Sequence, residues 1–384
     1  MKKKIGCVIA YRKGQNNYGT SLQGYAMIRK IRQMGYEVEV INYIKNFSLW
    51  DKVKWTINAY RCGMLRKDSE ISIPAEIKRD YTNNLRIRTE AVDNYKKANL
   101  LPFFHDYSGY SALHEGSKNY DAIVVGSDQV WLPQGLTTNF FNLLFADDSV
   151  RKVSYASSFG VSEIPSFQRK KTGKYLNRFY AISVRENRGK EIVEVLSNKK
   201  ATVVADPTLL LTRDEWETEI ENTKPRSDKS YIFSYLISEN EEARRYVAEF
   251  AEKKRLKLIC IRHLEKFRII DESYGDEAPY DVDPNDFLRL IHDAAYVCTD
   301  SFHCTVFSHI FHKQFLTFYR TSTGKTSRNS RIDSLFAVLG TNPSHLFVNG
   351  GMEGIDSPIN WEDVDGNLSN LRETSEVFLI NALS

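Results

Sequence analysis

The sequence predicts an α/β protein of two doubly wound, Rossmann-like domains facing a cleft, and three observations carry that prediction. Short, β-branched apolar runs alternate with longer helical stretches along most of the chain, the pattern of parallel βα units. The alternation breaks at "TRDEWETEIENTKPRSDKS" (212–230), where polar residues, Pro and Ser cluster, and then restarts. At 384 residues the chain is too long for one ordinary core and suits two domains.

In the first half, "KIGCVIAY" reads as a strand, "NYGTSLQGYAMIRKIRQMG" as a loop and helix ending at Gly35, and "YEVEVINY" as a second strand. Further on come "YDAIVVGSD", "RKVSYASSF", a helix around "SFQRKKTGKYLNRF", "YAISVRE", a helix "NRGKEIVEVLSN", and "ATVVADPTLLL". The second half reads as strand "YIFSYLI", helix "ENEEARRYVAEFAEKKR", strand "LKLICIRH", an acidic loop, helix "PNDFLRLIHDA", strand "AYVCTD", a helix from about His303, and "QFLTFYR". This predicts domains over 1–215 and 216–384, with the last helix packing back on the first domain. Residues 43–118 interrupt the alternation and read as a helical insertion. Within it Trp50, Val53, Ile57, Tyr60 and Met64 recur at helical spacing, accompanied by Lys52, Lys54, Arg61, Arg66 and Lys67. That stripe either packs on the first domain or forms a basic, aromatic surface helix resting on anionic lipid.

Composition narrows the function class. Hydrophobic residues make up 42% and charged residues 27%, as in soluble globular proteins. A net charge of +4 is too weak to make nucleic acid the expected partner. The five cysteines form no CxxC pair, which predicts reduced, buried thiols and a cytoplasmic chain. "MKKKIGCVIAYRKG" has an apolar stretch of about seven residues and no small-residue cleavage site, so it reads as a first strand rather than a signal peptide. No apolar run reaches the roughly 18 residues of a membrane span. The expectation is a cytoplasmic protein, at most peripheral at the inner membrane face.

Ligands of doubly wound sheets bind beyond the carboxyl ends of the strands, and the polar motifs fall there. Asn17, Tyr18 and Gly19 stand at a helix N-terminus after the first strand, where free N–H groups suit an anion or sugar hydroxyls. Gly126, Ser127, Asp128, Gln129 and Trp131 close another strand with polar side chains and an aromatic platform suited to a sugar ring. Arg185 and Glu186 end "ISVREN", and an arginine there can hold a carboxylate or phosphate through two N–H bonds. Asp206 and Pro207 read mainly as a turn that shapes the cleft. "TSTGKTS" (321–327) lacks the first glycine of a phosphate loop, leaving a basic loop with Arg320, Lys325, Arg328 and Arg331 as an anion clamp. His303 begins a helix at a strand end, with Asp300 and Ser301 beside it, and is the candidate acid–base group. His309 and His312 read as packing or helix-end residues, and no histidine spacing suggests a metal site.

Taken together, "NYGTSLQGYA", "YDAIVVGSDQVW", "SYASSFG", "ISVREN", "DPTLLL", "TDSFHCTVFS" and "SRIDSLFAVLG" resemble, in order and spacing from Lys4 to Gly340, the polysaccharide pyruvyl transferase family. The resemblance implies a GT-B-like fold. It also implies a reaction in which phosphoenolpyruvate gives its pyruvyl unit to two hydroxyls of one sugar, forming a cyclic ketal and releasing phosphate. His303 then matches the family's general acid, and Arg185 an arginine that holds the donor. Many members carry a second arginine two residues before that histidine, where this chain has Ser301. The missing charge would come from Arg262, Lys325 or Arg331, or the donor would differ.

The chemistry itself asks for an acid near neutrality, because the methylene carbon of the enol phosphate must be protonated as the sugar attacks. An ordinary imidazole, with pKa about 6.5, suits that step. Cations then neutralise the departing phosphate. No cofactor is expected. The expected acceptor is a saccharide, carried on lipid. The rival expectations are a GT-B glycosyltransferase using a nucleotide sugar and a non-catalytic saccharide-binding or assembly protein.

Overall fold

Parallel strands buried on both faces need crossover segments to bring the chain back to the same edge. The computed structural model describes residues 2–46, 49–61, 73–221, 223, 230–264, 267–320, 329–347 and 352–384, and it contains two such sheets. In the first half β1 (Lys4–Val8), β2 (Glu37–Ile44), β3 (Phe104–Ser108), β4 (Ala122–Val125), β5 (Arg151–Ser157), β6 (Ala181–Val184) and β7 (Ala201–Val203) lie in the order β3-β2-β1-β4-β5-β6-β7. In the second half β8 (Tyr231–Tyr235), β9 (Lys257–Cys260), β10 (Tyr296–Thr299), β11 (Gln314–Phe318) and β12 (Leu346–Phe347) lie in the order β12-β11-β10-β8-β9. All the described pairings are parallel.

Strand order reverses between β1 and β4 in one sheet and between β8 and β10 in the other. At a reversal the two outgoing segments leave toward opposite faces, and a crevice opens beyond the strand ends. The register makes those ends flush, with Val8 opposite Val125 and Thr299 opposite Tyr235. The residues that follow these four positions therefore line two crevices.

One apolar core runs through both halves and holds the crevices together. The helix Tyr18–Gln33, capped by the Asn17 side chain on the Thr20 N–H, lies at the junction. Tyr18 stacks on Phe287 of the second half at 4.6 Å, and Trp216 meets Phe307 edge-on at 5.1 Å. The helix Ala75–Asn99 bridges the halves. Its buried Arg88 donates to the carbonyls of Pro279 and Tyr280 at 2.7 and 2.8 Å. The last helix, Trp361–Leu383, returns to the first half: the Ala205 N–H donates to Ser375 Oγ at 2.9 Å, and Arg372 donates to the Leu209 carbonyl at 2.6 Å.

Residues 43–118 differ from the expected helical insertion. They hold the helices Leu49–Arg61, Ala75–Asn99 and Tyr110–Ser117, but also the edge strand β3. Only Tyr107 of "FHDYS" is buried, so the strand carries no apolar run to announce it. The aromatic stripe on Leu49–Arg61 does not pack on the first domain: Trp50 is 73% and Tyr60 74% exposed. Met64, Arg66 and Lys67 lie outside the described residues. Cys7, Cys260, Cys298 and Cys304 are buried and unpaired, while Cys62 is outside the described residues. Among the described residues no helix is long and apolar enough to cross a membrane.

Candidate functional site

The two crevices face each other across a cavity of about 450 Å³. Asn17, Thr20, Asp128 and Gln129 line it from the first half, and Ser301 and His303 from the second. The His303 segment is positioned by backbone capping. Asp300, directly after β10, accepts the N–H groups of Ile237 and Ser238 beyond β8 at 2.6 and 2.8 Å. Ser301 caps the helix Phe302–Ile310, its Oγ accepting the Cys304 N–H at 3.4 Å. These bonds tie the two strand ends of the reversal together and aim His303 toward the first half.

Two features of the first half receive the imidazole. Gly19 packs directly against it: a Cβ at this position would fall 2.1 Å from His303 Nδ1 and 2.5 Å from Cγ. Only glycine permits that approach. On the ring's other side Asp206 Oδ2 stands 3.7 Å from Nε2, an ion-pair distance rather than a hydrogen bond. Nε2 is a buried nitrogen with no hydrogen-bond partner, an arrangement that folded proteins keep rare outside functional sites.

Asp206 is the centre of a buried network. Its Oδ1 accepts the backbone N–H and hydroxyl of Thr208 at 3.1 and 2.8 Å. Its Oδ2 accepts from Ser127 Oγ at 2.9 Å and Arg185 Nη1 at 2.8 Å. Arg185 also reaches Asp128 Oδ1 at 3.4 Å, and Thr20 Oγ1 donates to Asp128 Oδ2 at 3.3 Å. Burial alone would raise the Asp206 carboxyl, but the charges of His303 and Arg185 outweigh it and hold the group far below its ordinary range. Burial is likewise outweighed at Asp128, by Arg185, His303 and Arg331, and that carboxyl too is lowered. Burial dominates at Glu186, whose carboxyl is raised although Arg185 lies beside it. Ser158 Oγ donates to Glu186 at 2.7 Å.

The second half supplies positive charge. Arg268, Arg320 and Arg331 all line the cavity. Arg268 Nε and Nη1 are buried without hydrogen-bond partners, and Arg320 Nε donates to the Asp300 carbonyl at 3.0 Å. Burial, with Arg185 and Arg320 nearby, lowers the Arg331 guanidinium, yet a guanidinium stays cationic at neutral pH. Burial beside Arg268 and Arg320 brings His263 down to about 4, so that imidazole is neutral where His303 faces a carboxylate. Such a cluster can hold a dianionic phosphate.

Several expected site residues stand elsewhere. Trp131 is fully buried, donates to the Phe141 carbonyl at 3.0 Å, and packs against Phe159 and Phe179, so it is core and not a sugar platform. Tyr18 is spent on Phe287 and on the Val282 carbonyl at 3.0 Å. Gly126 and Ser127 lie beneath the cavity. A Cβ on Gly126 would meet the Tyr155 carbonyl oxygen at 1.9 Å, and Ser127 supports Asp206. Arg262 points away, toward Glu272 and Tyr280 at 2.9 and 2.7 Å, so it does not replace the arginine missing at Ser301. Arg185 sits behind Phe302, its guanidinium 4.3 Å over that ring, with Phe302 lining the cavity. Its charge is matched by Asp206 and Asp128. Lys325 and the loop 321–328 are outside the described residues.

A family model described as polysaccharide pyruvyl transferase matches residues 17–322. The chain belongs to that family. Among solved structures the chain is similar to a UDP-N-acetylglucosamine 2-epimerase at 12% identity and TM-score 0.53, covering 99% of this chain and 95% of that one. It is also similar to a putative UDP-N-acetylglucosamine 2-epimerase from Listeria monocytogenes at 11% identity and TM-score 0.52, covering 98% and 90%. These likenesses concern the two-domain fold alone. Among curated proteins, no sequence match was found.

Sequence reasoning missed Asp206 as the partner of His303 and Arg268 as a cavity cation, whereas Arg320 and Arg331 of the expected anion clamp do line the cavity. Asp206 carried one signal, its place at a strand end in "VVADPTLLL". Arg268 follows no strand directly and carried none.

Proposed function

We propose that the chain moves the pyruvyl group of phosphoenolpyruvate onto two hydroxyls of one sugar in a saccharide acceptor, forming a cyclic ketal and releasing phosphate. The observation that carries this reading is the meeting of His303 with Asp206 across the halves, beside the guanidinium cluster of the second half. Arg268, Arg320 and Arg331 hold the donor's phosphate and carboxylate. Asp128, Asn17 and Gln129, on the opposite wall, accept and donate hydrogen bonds to sugar hydroxyls. His303 gives a proton to the methylene carbon, which becomes a methyl group, and the neighbouring carbon takes on oxocarbenium character. The first hydroxyl adds there and returns its proton to the imidazole. The second hydroxyl then displaces phosphate, which departs with the remaining proton while the arginines neutralise its charge. Arg185 acts through Asp206 and Asp128 as a positioning residue.

The acceptor is carried on lipid and the chain works at the cytoplasmic membrane face. Incubation with phosphoenolpyruvate and a panel of synthetic and lipid-linked glycosides tests the reading, with phosphate release and mass spectrometry as readouts. Phosphate release matched by a pyruvyl-bearing product supports it. Stabilisation by a uridine or guanosine diphosphate with none by phosphoenolpyruvate would instead favour a nucleotide-sugar glycosyltransferase. Binding of saccharide without turnover on any acceptor would favour a non-catalytic saccharide-binding protein.

A further inference from the structure

The helix Leu49–Arg61 presents an apolar face that the described structure leaves largely exposed. Leu49, Trp50, Val53, Ile57 and Tyr60 fall within an arc of about 100° at 3.6 residues per turn. They are 80%, 73%, 46%, 52% and 74% exposed. The helix is held from another side: Asn58 donates to the carbonyls of Pro133 and Gln134 at 3.3 and 3.2 Å and accepts from Gln168 at 2.9 Å. The domain thus fixes the helix while its stripe points outward. Monomeric folds seldom leave so many large apolar side chains side by side in water.

Charge decides what covers the stripe. Lys54 and Arg61 flank one edge of the arc and Lys52 the other. Against this helix, across a groove shared by Lys54, Ile57, Arg61, Phe167 and Lys171, lies the helix Ser166–Leu176. It exposes Phe167, Arg169, Lys170, Lys171 and Lys174 and contains no acidic residue. Arg61 lies 4.2 Å over the Phe167 ring and joins the two helices. Together they carry a larger positive excess than the whole chain's +4. A protruding apolar and aromatic stripe bordered by lysines matches the boundary of an anionic bilayer, where rings enter the acyl edge and cations meet headgroup phosphates.

We propose that this face docks the protein on an anionic phospholipid surface. The segment that anchors Asn58 continues into the cavity wall, because Pro133 and Gln134 sit between the cavity residues Leu132 and Phe141. Docking therefore sets the catalytic cavity beside the membrane. The inference deepens the reading of a lipid-linked acceptor, but its test uses no substrate.

Full-length protein is mixed with vesicles of phosphatidylcholine alone or with phosphatidylglycerol, and bound protein is measured by co-sedimentation at rising salt. Binding should require phosphatidylglycerol and fall with salt. Trp50→Ser with Tyr60→Ser, and separately Lys170→Glu with Lys171→Glu and Lys174→Glu, should each weaken it by roughly tenfold or more. Both sets change exposed residues, so phosphate release on a soluble glycoside should stay at the unsubstituted level. Equal binding by the substituted proteins, or no preference for phosphatidylglycerol, overturns the proposal. So does concentration-dependent dimerisation, seen by light scattering and abolished by Trp50→Ser with Tyr60→Ser, which would assign the stripe to a second copy. Vesicle binding by a chain that releases no phosphate would sink the proposed chemistry and leave the docking face standing.

Discussion

Asp206, at the end of the first sheet, stands 3.7 Å from His303, at the end of a central strand of the second. The pair spans 97 positions of sequence and joins the two sheets. Its carboxylate is already engaged by Arg185, Ser127 and Thr208, so it orients the imidazole from a fixed position.

Replacing His303 by Ala should lower phosphate release by about 10²–10⁴-fold, the usual contribution of a positioned acid–base group. Circular dichroism and the thermal midpoint should show a folded protein. Release at the unsubstituted rate would take His303 out of the reaction.

Gly19→Ala tests the contact on the ring's other side. The added methyl would lie 2.1 Å from Nδ1, and the glycine sits in the first turn of a buried helix that cannot retreat. The imidazole must turn away. Turnover should fall at least about tenfold, while donor binding, followed by thermal stabilisation with phosphoenolpyruvate, stays near normal.

Asp206→Asn should destabilise the fold by about 3–5 kcal/mol, because Arg185 would lose its closest carboxylate while remaining buried. The pH dependence follows from the lowered carboxyl. Its stabilising contribution is complete above the unfolded carboxylate value of about 3.9 and is lost as pH falls toward its much lower folded value. Urea unfolding between pH 5 and 2 should therefore depend less steeply on pH in Asp206→Asn than in the parent. Parallel curves would show that this group does not set the acid limb.

The arginines separate by position. Arg331→Ala and Arg268→Ala remove cavity cations and should raise the donor KM by roughly tenfold or more each, the worth of a charge-assisted hydrogen bond. Arg262→Ala, directed at Glu272, should leave donor saturation unchanged. The reverse pattern would place the donor outside the cavity.

Trp131→Ala distinguishes core from sugar platform. Loss of a fully buried indole should cost about 3–5 kcal/mol in unfolding free energy. The milder Trp131→Phe, if folded, should leave acceptor KM unaltered. A selective rise in acceptor KM in that variant would restore the indole to the site.

By itself the sequence determined the α/β class, a parallel sheet in each half, and the strand ends from which Asp128, Arg185, Ser301 and His303 depart. Continuous apolar strand runs, period-3.6 helical patterns and strand-end polarity are local, and a parallel βα unit writes them directly into consecutive residues. The tertiary structure alone decided which of those ends meet. The pairing of His303 with Asp206, the placing of Arg268 in the cavity, and the turning of Arg262 away depend on how two sheets dock, a relation between residues far apart in the chain. The same holds for Trp131 and Trp50, two tryptophans beside polar residues. One fills the core and the other faces solvent, because burial is settled by what packs opposite a side chain and not by its own hydrophobicity.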